Sequence, residues 1–423
     1  APLLRHGIGH EVGMETATGT GTGADASVRR TRTPASAALY VHLPWCLSKC
    51  PYCDFNSYAA RTWPEAEYAA ALLRELRHRS ERDGFEGRRF ATVFFGGGTP
   101  SLFDPRTIGS FLDEVARLPG LDAGAEITLE ANPGTVTEAR LRGFRGAGVN
   151  RLSFGIQSFQ PDLLLALGRR HSVDDSRRAL DAARTAGFDN LSLDLIFAIP
   201  GQSFDACEAD LAEAISRGTE HVSAYALTFE PGTAFHRDRD RGRVRPAPED
   251  LEVAMFEYVR SRLGAAGLAP YEISNFARPG REARHNQAYW RGLPYLGLGA
   301  GAHSFAPGEG SDDGTEACFG RRWENLRDPA GWMTAVRESG SGIAAEERLD
   351  RREAMGEACW LSLRESRGLD PEAFRTRFGV RFDDAFPHAG GLRDDGLVAW
   401  NDGRLVLTAR GLLLADAVFS SFL

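Results

Sequence analysis

Between residues 38 and 227, short β-rich runs alternate with amphipathic helical stretches, and this limits the fold more than any other feature. The spacing predicts strands at 39–43, 91–95, 126–130, 151–157, 190–197 and 221–225, with helices over 65–82, 105–118, 172–186 and 204–217. Strands joined by helices build a parallel sheet with right-handed crossovers. Repetition of the unit without a visible change of helix side favours an α/β fold of partial (β/α) barrel type, with about six strands. One face of nearly every strand is polar: Tyr40 and His42, Thr128 and Glu130, Arg151, Ser153 and Gln157, Ser192 and Asp194, Ser223 and Tyr225. A packed barrel interior is apolar, so this interior is expected to hold water or a polar ligand.

The rest of the chain divides around that core. Residues 1–37, rich in Gly, Thr, Ala and Arg, read as a flexible tail. The core is expected over 38–230 and a less regular, Gly- and Pro-rich extension over 231–344. A compact unit over 345–423 is expected to contain helices at 346–364 and 371–378. A hairpin turning at Asn401-Asp402-Gly403 and a last helix from Thr408 follow. Helices followed by a hairpin suggest a winged-helix-like domain, but the segment has no basic stripe, so a structural or substrate-covering role fits better than DNA binding. The formal net charge of −8 gives no field for nucleic acid. No apolar run is long enough to span a bilayer, and no opening segment has the order of a secretory signal.

Chemistry concentrates just after the first strand, at Cys46, Cys50 and Cys53. A closed zinc site wants a fourth Cys or His and two separated pairs. Three thiolates on a 4Fe–4S cluster leave one iron open to an exogenous chelate. Cys207, Cys318 and Cys359 are scattered and read as packing residues. Gly96-Gly97-Gly98-Thr99-Pro100 follows the second strand, where glycines permit close backbone approach to a ligand.

The cysteine spacing and its position resemble the radical S-adenosylmethionine (SAM) superfamily. The resemblance implies an iron–sulfur cluster whose open iron binds the amino and carboxylate groups of SAM, so that an electron can release a 5′-deoxyadenosyl radical. YVHLPWC at 40–46, GIQSF at 155–159, LDLIFAIPGQ at 193–202 and LGLGAGAHS at 296–304 are similar to the group of the oxygen-independent coproporphyrinogen III oxidase. By that resemblance Tyr40, Tyr52, Gly97, Gly98, Thr99, Glu130, Gln157, Arg169, Asp194, Ala226 and His303 are the SAM-binding positions.

Two features separate the chain from the oxidase. Cys53 is followed by Asp54 and Phe55, where the oxidase has a further Cys two positions on. His285-Asn286-Gln287-Ala288-Tyr289-Trp290 matches the HNxxYW signature of the HemW haem chaperone family. His285, Tyr289 and Trp290 are therefore haem-binding candidates, imidazole as iron ligand and the rings as cover; the competing reading is a buried structural cluster. The resemblance implies a cytoplasmic haem chaperone with haem as cargo, an apo-haemoprotein recipient, an electron donor if SAM is cleaved, and peripheral membrane contact. No residue is assigned a catalytic role. The alternative is an oxidoreductase of the coproporphyrinogen III dehydrogenase type, acting in porphyrin biosynthesis.

Overall fold

The computed structural model describes residues 36–308 and 318–423, so nearly all of the expected 1–37 tail lies outside the described residues. Six strands follow one another in the core: β1 (Ala37–Leu43), β2 (Phe90–Gly97), β3 (Leu121–Ala131), β4 (Arg151–Gln157), β5 (Leu191–Phe197) and β6 (His221–Ala226). Between them run α1 (Glu65–Arg79), α2 (Pro105–Arg117), α3 (Glu138–Gly146), α4 (Pro161–Ala166), α5 (Val173–Thr185) and α6 (Phe204–Ser216). Local chemistry sets these boundaries. Asp104 caps α2 ahead of a proline in its first turn, and Ser172 and Asp175 close a reciprocal capping box on α5.

The six strands pair in parallel in chain order. Period-two alternation then divides their side chains. Leu39, Val41, Val93, Phe95, Leu129, Leu152, Phe154, Leu193 and Val222 enter one apolar cluster with helix residues such as Tyr68, Leu72, Phe111 and Leu180. The polar set occupies the other face.

The segment 231–344 is more ordered than its composition suggests. It supplies α7 (Ala234–Asp240), α8 (Glu249–Ala265), α9 (Arg284–Trp290) and α10 (Pro329–Ser339). It also supplies β7 (Ala269–Pro270), β8 (Asn275–Ala277), β9 (Tyr295–Leu298), β10 (His303–Pro307), β11 (Gly320–Asn325) and the start of β12 (Ile343–Leu349). These strands extend the same sheet to twelve, in the order β12-β11-β10-β9-β1-β2-β3-β4-β5-β6-β8-β7. β9 lies parallel to β1, and the outer strands are antiparallel. The sheet is large, mostly parallel and not closed.

The C-terminal unit departs from expectation at its start. Residues 346–349 belong to β12, because Asp350 forms a capping box with Glu353 and so fixes the start of α11 (Arg351–Arg364). α12 (Pro371–Phe378) is where the periodicity places it. The hairpin of β13 (Val398–Asn401) and β14 (Arg404–Leu407) turns on Asp402 and Gly403, both at positive φ. The last helix is broken in two, Ala409–Leu413 and Ala415–Ser420. This unit has its own apolar cluster, including Leu349, Trp360, Phe374, Phe382 and Phe419.

A buried carboxylate ties the sheet to its helices. Glu75 on α1 accepts from the Gly299 amide at 2.9 Å, Asn325 Nδ2 at 2.9 Å and the Trp332 indole at 3.3 Å. Tyr68 on the same helix donates to the His42 carbonyl and accepts from the Ala300 amide. Burial outweighs these donors and pushes the Glu75 carboxyl up to about 7. Glu75→Leu keeps the volume but orphans buried donors, so it is expected to cost roughly 3 kcal/mol, read as a lower midpoint in urea unfolding.

Candidate functional site

The chain leaves β1 at Leu43 and forms the cysteine loop at the carboxyl end of the parallel strands. Trp45–Cys46 pairs with Tyr58–Ala59 and pinches the loop at its base. Lys49, the only lysine in the sequence, donates to the carbonyls of Phe55 at 3.0 Å and Ser57 at 3.3 Å. His42 Nε2 lies 2.8 Å from the Asn56 carbonyl and Nδ1 lies 3.0 Å from the Tyr40 hydroxyl. A carbonyl can only accept, so Nε2 carries the proton and Tyr40 donates to Nδ1. Burial holds this imidazole neutral by lowering its pKa to about 4. Asn56 in turn donates to the carbonyls of Ala300 and Arg327, joining the loop to the LGLGAGAHS segment.

The glycine turn after β2 braces the other side. The amides of Gly98 and Thr99 donate to the carbonyls of Leu43 at 2.8 Å and Trp45 at 2.9 Å. These two amides, read from sequence as ligand contacts, thus hold the cysteine loop. A Cβ on Gly97, whose φ is +109°, would lie 2.5 Å from the His42 ring, and one on Gly98 would lie 2.6 Å from the Trp45 carbonyl oxygen. Glycine is required at both positions by close approach.

Each cysteine sulfur has a polar neighbour. Thr99 Oγ1 donates to Cys46 Sγ at 3.3 Å, Arg169 Nη1 to Cys50 Sγ at 3.6 Å, and Ser57 Oγ lies 3.9 Å from Cys53 Sγ. Burial raises the Cys46 and Cys53 thiols above their ordinary range. No three His, Cys, Asp or Glu side chains among the described residues are placed to hold one metal ion. Zinc needs its thiolates about 2.3 Å from a common centre. A cubane instead offers a separate iron to each sulfur, and hydrogen bonds to those sulfurs are a normal part of its setting. By the chemistry of its donors, three thiols in one loop with hydrogen-bonding neighbours, the site suits such a cluster.

Most of the remaining SAM candidates gather above the polar face. Glu130 and Asp194 are half-buried on the two strands that flank β4, and burial first, then for Glu130 its acidic neighbour, holds both carboxyls above their usual range. Ser153 donates to Asp194 at 3.2 Å. Arg169 reaches from the segment after α4 to the Gly155 carbonyl at 2.7 Å as well as to Cys50. Gln157 ends β4 at a φ of +70°, a strained conformation for a residue with a Cβ and one that concentrates at functional sites. Tyr52 packs against Phe235, Ala226 ends β6, and His303 faces Glu324 at 3.5 Å on the β10–β11 side.

The HNxxYW residues lie elsewhere. α9 packs beneath the amino-terminal ends of the strands, with Glu126 of β3 accepting from the Arg284 and His285 amides at its first turn. His285 is 1% exposed. Its Nδ1 pairs with Thr92 at 2.8 Å and its Nε2 with Tyr289 at 2.8 Å, so both ring nitrogens are engaged. Trp290 lies between Tyr271 and the Arg364 guanidinium of α11. From Thr92 to Gly97 along β2 is about 16 Å, so the motif and the cysteine loop occupy opposite ends of the sheet. Sequence analysis did not single out Asn56, Tyr68 or Glu75, and gave His42 and Lys49 no structural role; their signal is tertiary.

Gly98→Ala should displace the Trp45–Cys46 backbone while leaving the core intact. The expected outcome is a large loss of iron and sulfide incorporated on anaerobic reconstitution, with an unchanged far-ultraviolet circular dichroism spectrum.

Comparison with known proteins agrees with this architecture. The pattern of the radical SAM superfamily matches residues 40–214, and that of the HemN C-terminal domain matches 349–414. Heme chaperone HemW of Bacillus subtilis is 35% identical over 387 residues, covering 91% of this chain and 98% of that protein. Heme chaperone HemW of Escherichia coli is 44% identical over 268 residues, 63% of this chain and 69% of that one. A mouse protein named radical S-adenosyl methionine domain-containing protein 1, mitochondrial, is 39% identical over 79% of this chain and 74% of its own length. The solved structure of coproporphyrinogen III oxidase (HemN) from Escherichia coli superimposes with a TM-score of 0.78 over 93% of this chain and 91% of that one, at 23% identity. That likeness gives the fold, and near-full-length kinship at 35% identity gives the family: the chain belongs to the HemW family of radical SAM proteins.

Proposed function

We propose that this chain is a cytoplasmic haem chaperone that holds a 4Fe–4S cluster on Cys46, Cys50 and Cys53, binds SAM beside it, and passes haem to recipient haemoproteins. The observation that carries this reading is the match, over nearly the whole of both chains, to a protein named as a heme chaperone. The loop chemistry agrees with it, since no cysteine follows Cys53 before Cys207. A cluster bound there would offer one iron without a protein ligand.

The protein's own groups have defined tasks in this reading. Thr99 and Arg169 hold the Cys46 and Cys50 sulfurs by hydrogen bonds. Glu130 accepts from ribose hydroxyls, and Gln157 and Asp194 complete the polar rim. Tyr40, Tyr52, Gly97, Gly98, Ala226 and His303 wall the nucleotide. His285, Tyr289 and Trp290 form the floor of the haem space; direct ligation by His285 would require release of Thr92 or Tyr289. The C-terminal unit, read as winged-helix-like, supports that floor through contacts of α11 with α9 and the Arg291–Glu365 ion pair at 3.0 Å.

Two measurements test the proposal. Anaerobically reconstituted protein should bind haem stably and form no protoporphyrinogen from coproporphyrinogen III with a reductant and SAM; turnover at an enzymatic rate would instead identify an oxidase. Alanine at Cys46, Cys50 or Cys53 should abolish cluster absorbance in the same preparation. An ionised Glu130 accepts from hydroxyls more strongly than a protonated one, and its carboxyl is held high. SAM affinity by equilibrium dialysis should therefore rise from mildly acidic to mildly alkaline pH, and Glu130→Gln should flatten that rise.

A further inference from the structure

Arg151 opens β4 on the polar face of the sheet and is 2% exposed. Its Nε is buried without a partner, and its guanidinium makes no hydrogen bond or ion pair with any described residue. The other buried charged side chains among the described residues, Glu75, Arg79, Glu126, Asp210, Glu272 and Glu365, all have such partners. Directly across in the strand register lies Thr128, fully buried, whose hydroxyl is also unpartnered. Two orphaned groups thus stand side by side on the ligand-facing side of the sheet.

The groups that feel the Arg151 charge are Glu130, Asp194, His221, His285 and Tyr271. Neither acid pairs with it. The two imidazoles are already engaged, His221 with Ser192 and Tyr271, His285 with Thr92 and Tyr289. A buried, unpaired guanidinium is costly unless something occupies its fork. The planar fork of arginine takes a carboxylate through two parallel bonds, and a neighbouring hydroxyl can add a third.

We propose that Arg151 and Thr128 form a carboxylate-binding subsite at the floor of the polar face, filled on the haem-chaperone reading by a haem propionate. The carboxylate of SAM is the wrong candidate. Arg151 and Gln157 stand at opposite ends of β4, six residues apart and so about 20 Å, which puts the subsite far from the cysteine loop. The inference rests on the function proposed above for the identity of the carboxylate, but not for its chemistry.

The test titrates haem and haem dimethyl ester into the anaerobic, cluster-loaded full chain and follows absorbance. The wild type should bind the free acid about tenfold more tightly than the diester, the scale of one charge-assisted hydrogen bond. Arg151→Gln should lower haem affinity to the diester value and leave the diester unchanged, with Thr128→Val giving a smaller loss in the same direction. Equal affinity of the wild type for both ligands would overturn the subsite, as would an equal loss for both in Arg151→Gln. If Arg151→Gln fails to load its cluster, Thr128→Val alone carries the comparison. Ligand-free Arg151→Met should melt at or above the wild-type temperature, because a group held for a ligand adds nothing to the empty fold; clear destabilisation would mark a structural arginine. If the wild type binds neither tetrapyrrole, the haem reading fails by itself. Succinate should then raise the melting temperature of the wild type but not of Arg151→Gln, and no succinate effect in either would sink the subsite too.

Discussion

The geometry of the site depends on backbone hydrogen bonds that hold the cysteine loop against the ends of β1 and β2. The amides of Gly98 and Thr99 bind carbonyls on either side of Pro44, while His42 and Lys49 bind carbonyls inside the loop. These bonds order a segment that has little apolar surface of its own to bury. Their cost is borne by sequence choice: two positions admit only glycine, and one demands a neutral, buried imidazole. The LGLGAGAHS segment completes the brace from the far side through Asn56, Tyr68 and Glu75. The shape of the cysteine loop is in this way a property of the sheet.

A second constraint acts at the opposite end. α9 closes the amino-terminal side of the strands, capped by Glu126 and locked by His285 and Tyr289, and α11 packs behind it. The HNxxYW motif is in this sense a joint between the sheet and the C-terminal unit. Polar groups on the enclosed face are largely satisfied in pairs, Ser153 with Asp194 and Ser192 with His221, which makes the exceptions at Thr128 and Arg151 informative.

Much of this was legible in the sequence because it is local. Strand 151–157 and helix 371–378 match to the residue, since their alternation, caps and flanking prolines act within a few positions. The polar face was legible for the same reason, as period two assigns sides without tertiary knowledge. The start of α11 was misplaced because Glu346 and Glu347 read as helix formers, yet they pair with β11 before Asp350 can cap. Order in 231–344 was missed because its strands are short and their partners distant: β9 finds β1 across most of the chain. The structural contacts of Gly98 and His285 were not legible, since sequence shows that a residue approaches something closely but not what it approaches.

The single lysine has a use outside the cell. Within these 423 residues Lys49 is the one side-chain primary amine, it is exposed, and it sits among the three cysteines. An acylating or cross-linking reagent selective for amines therefore has one internal target, so its labelling rate becomes a direct gauge of whether that loop is shut, loose or covered by a partner.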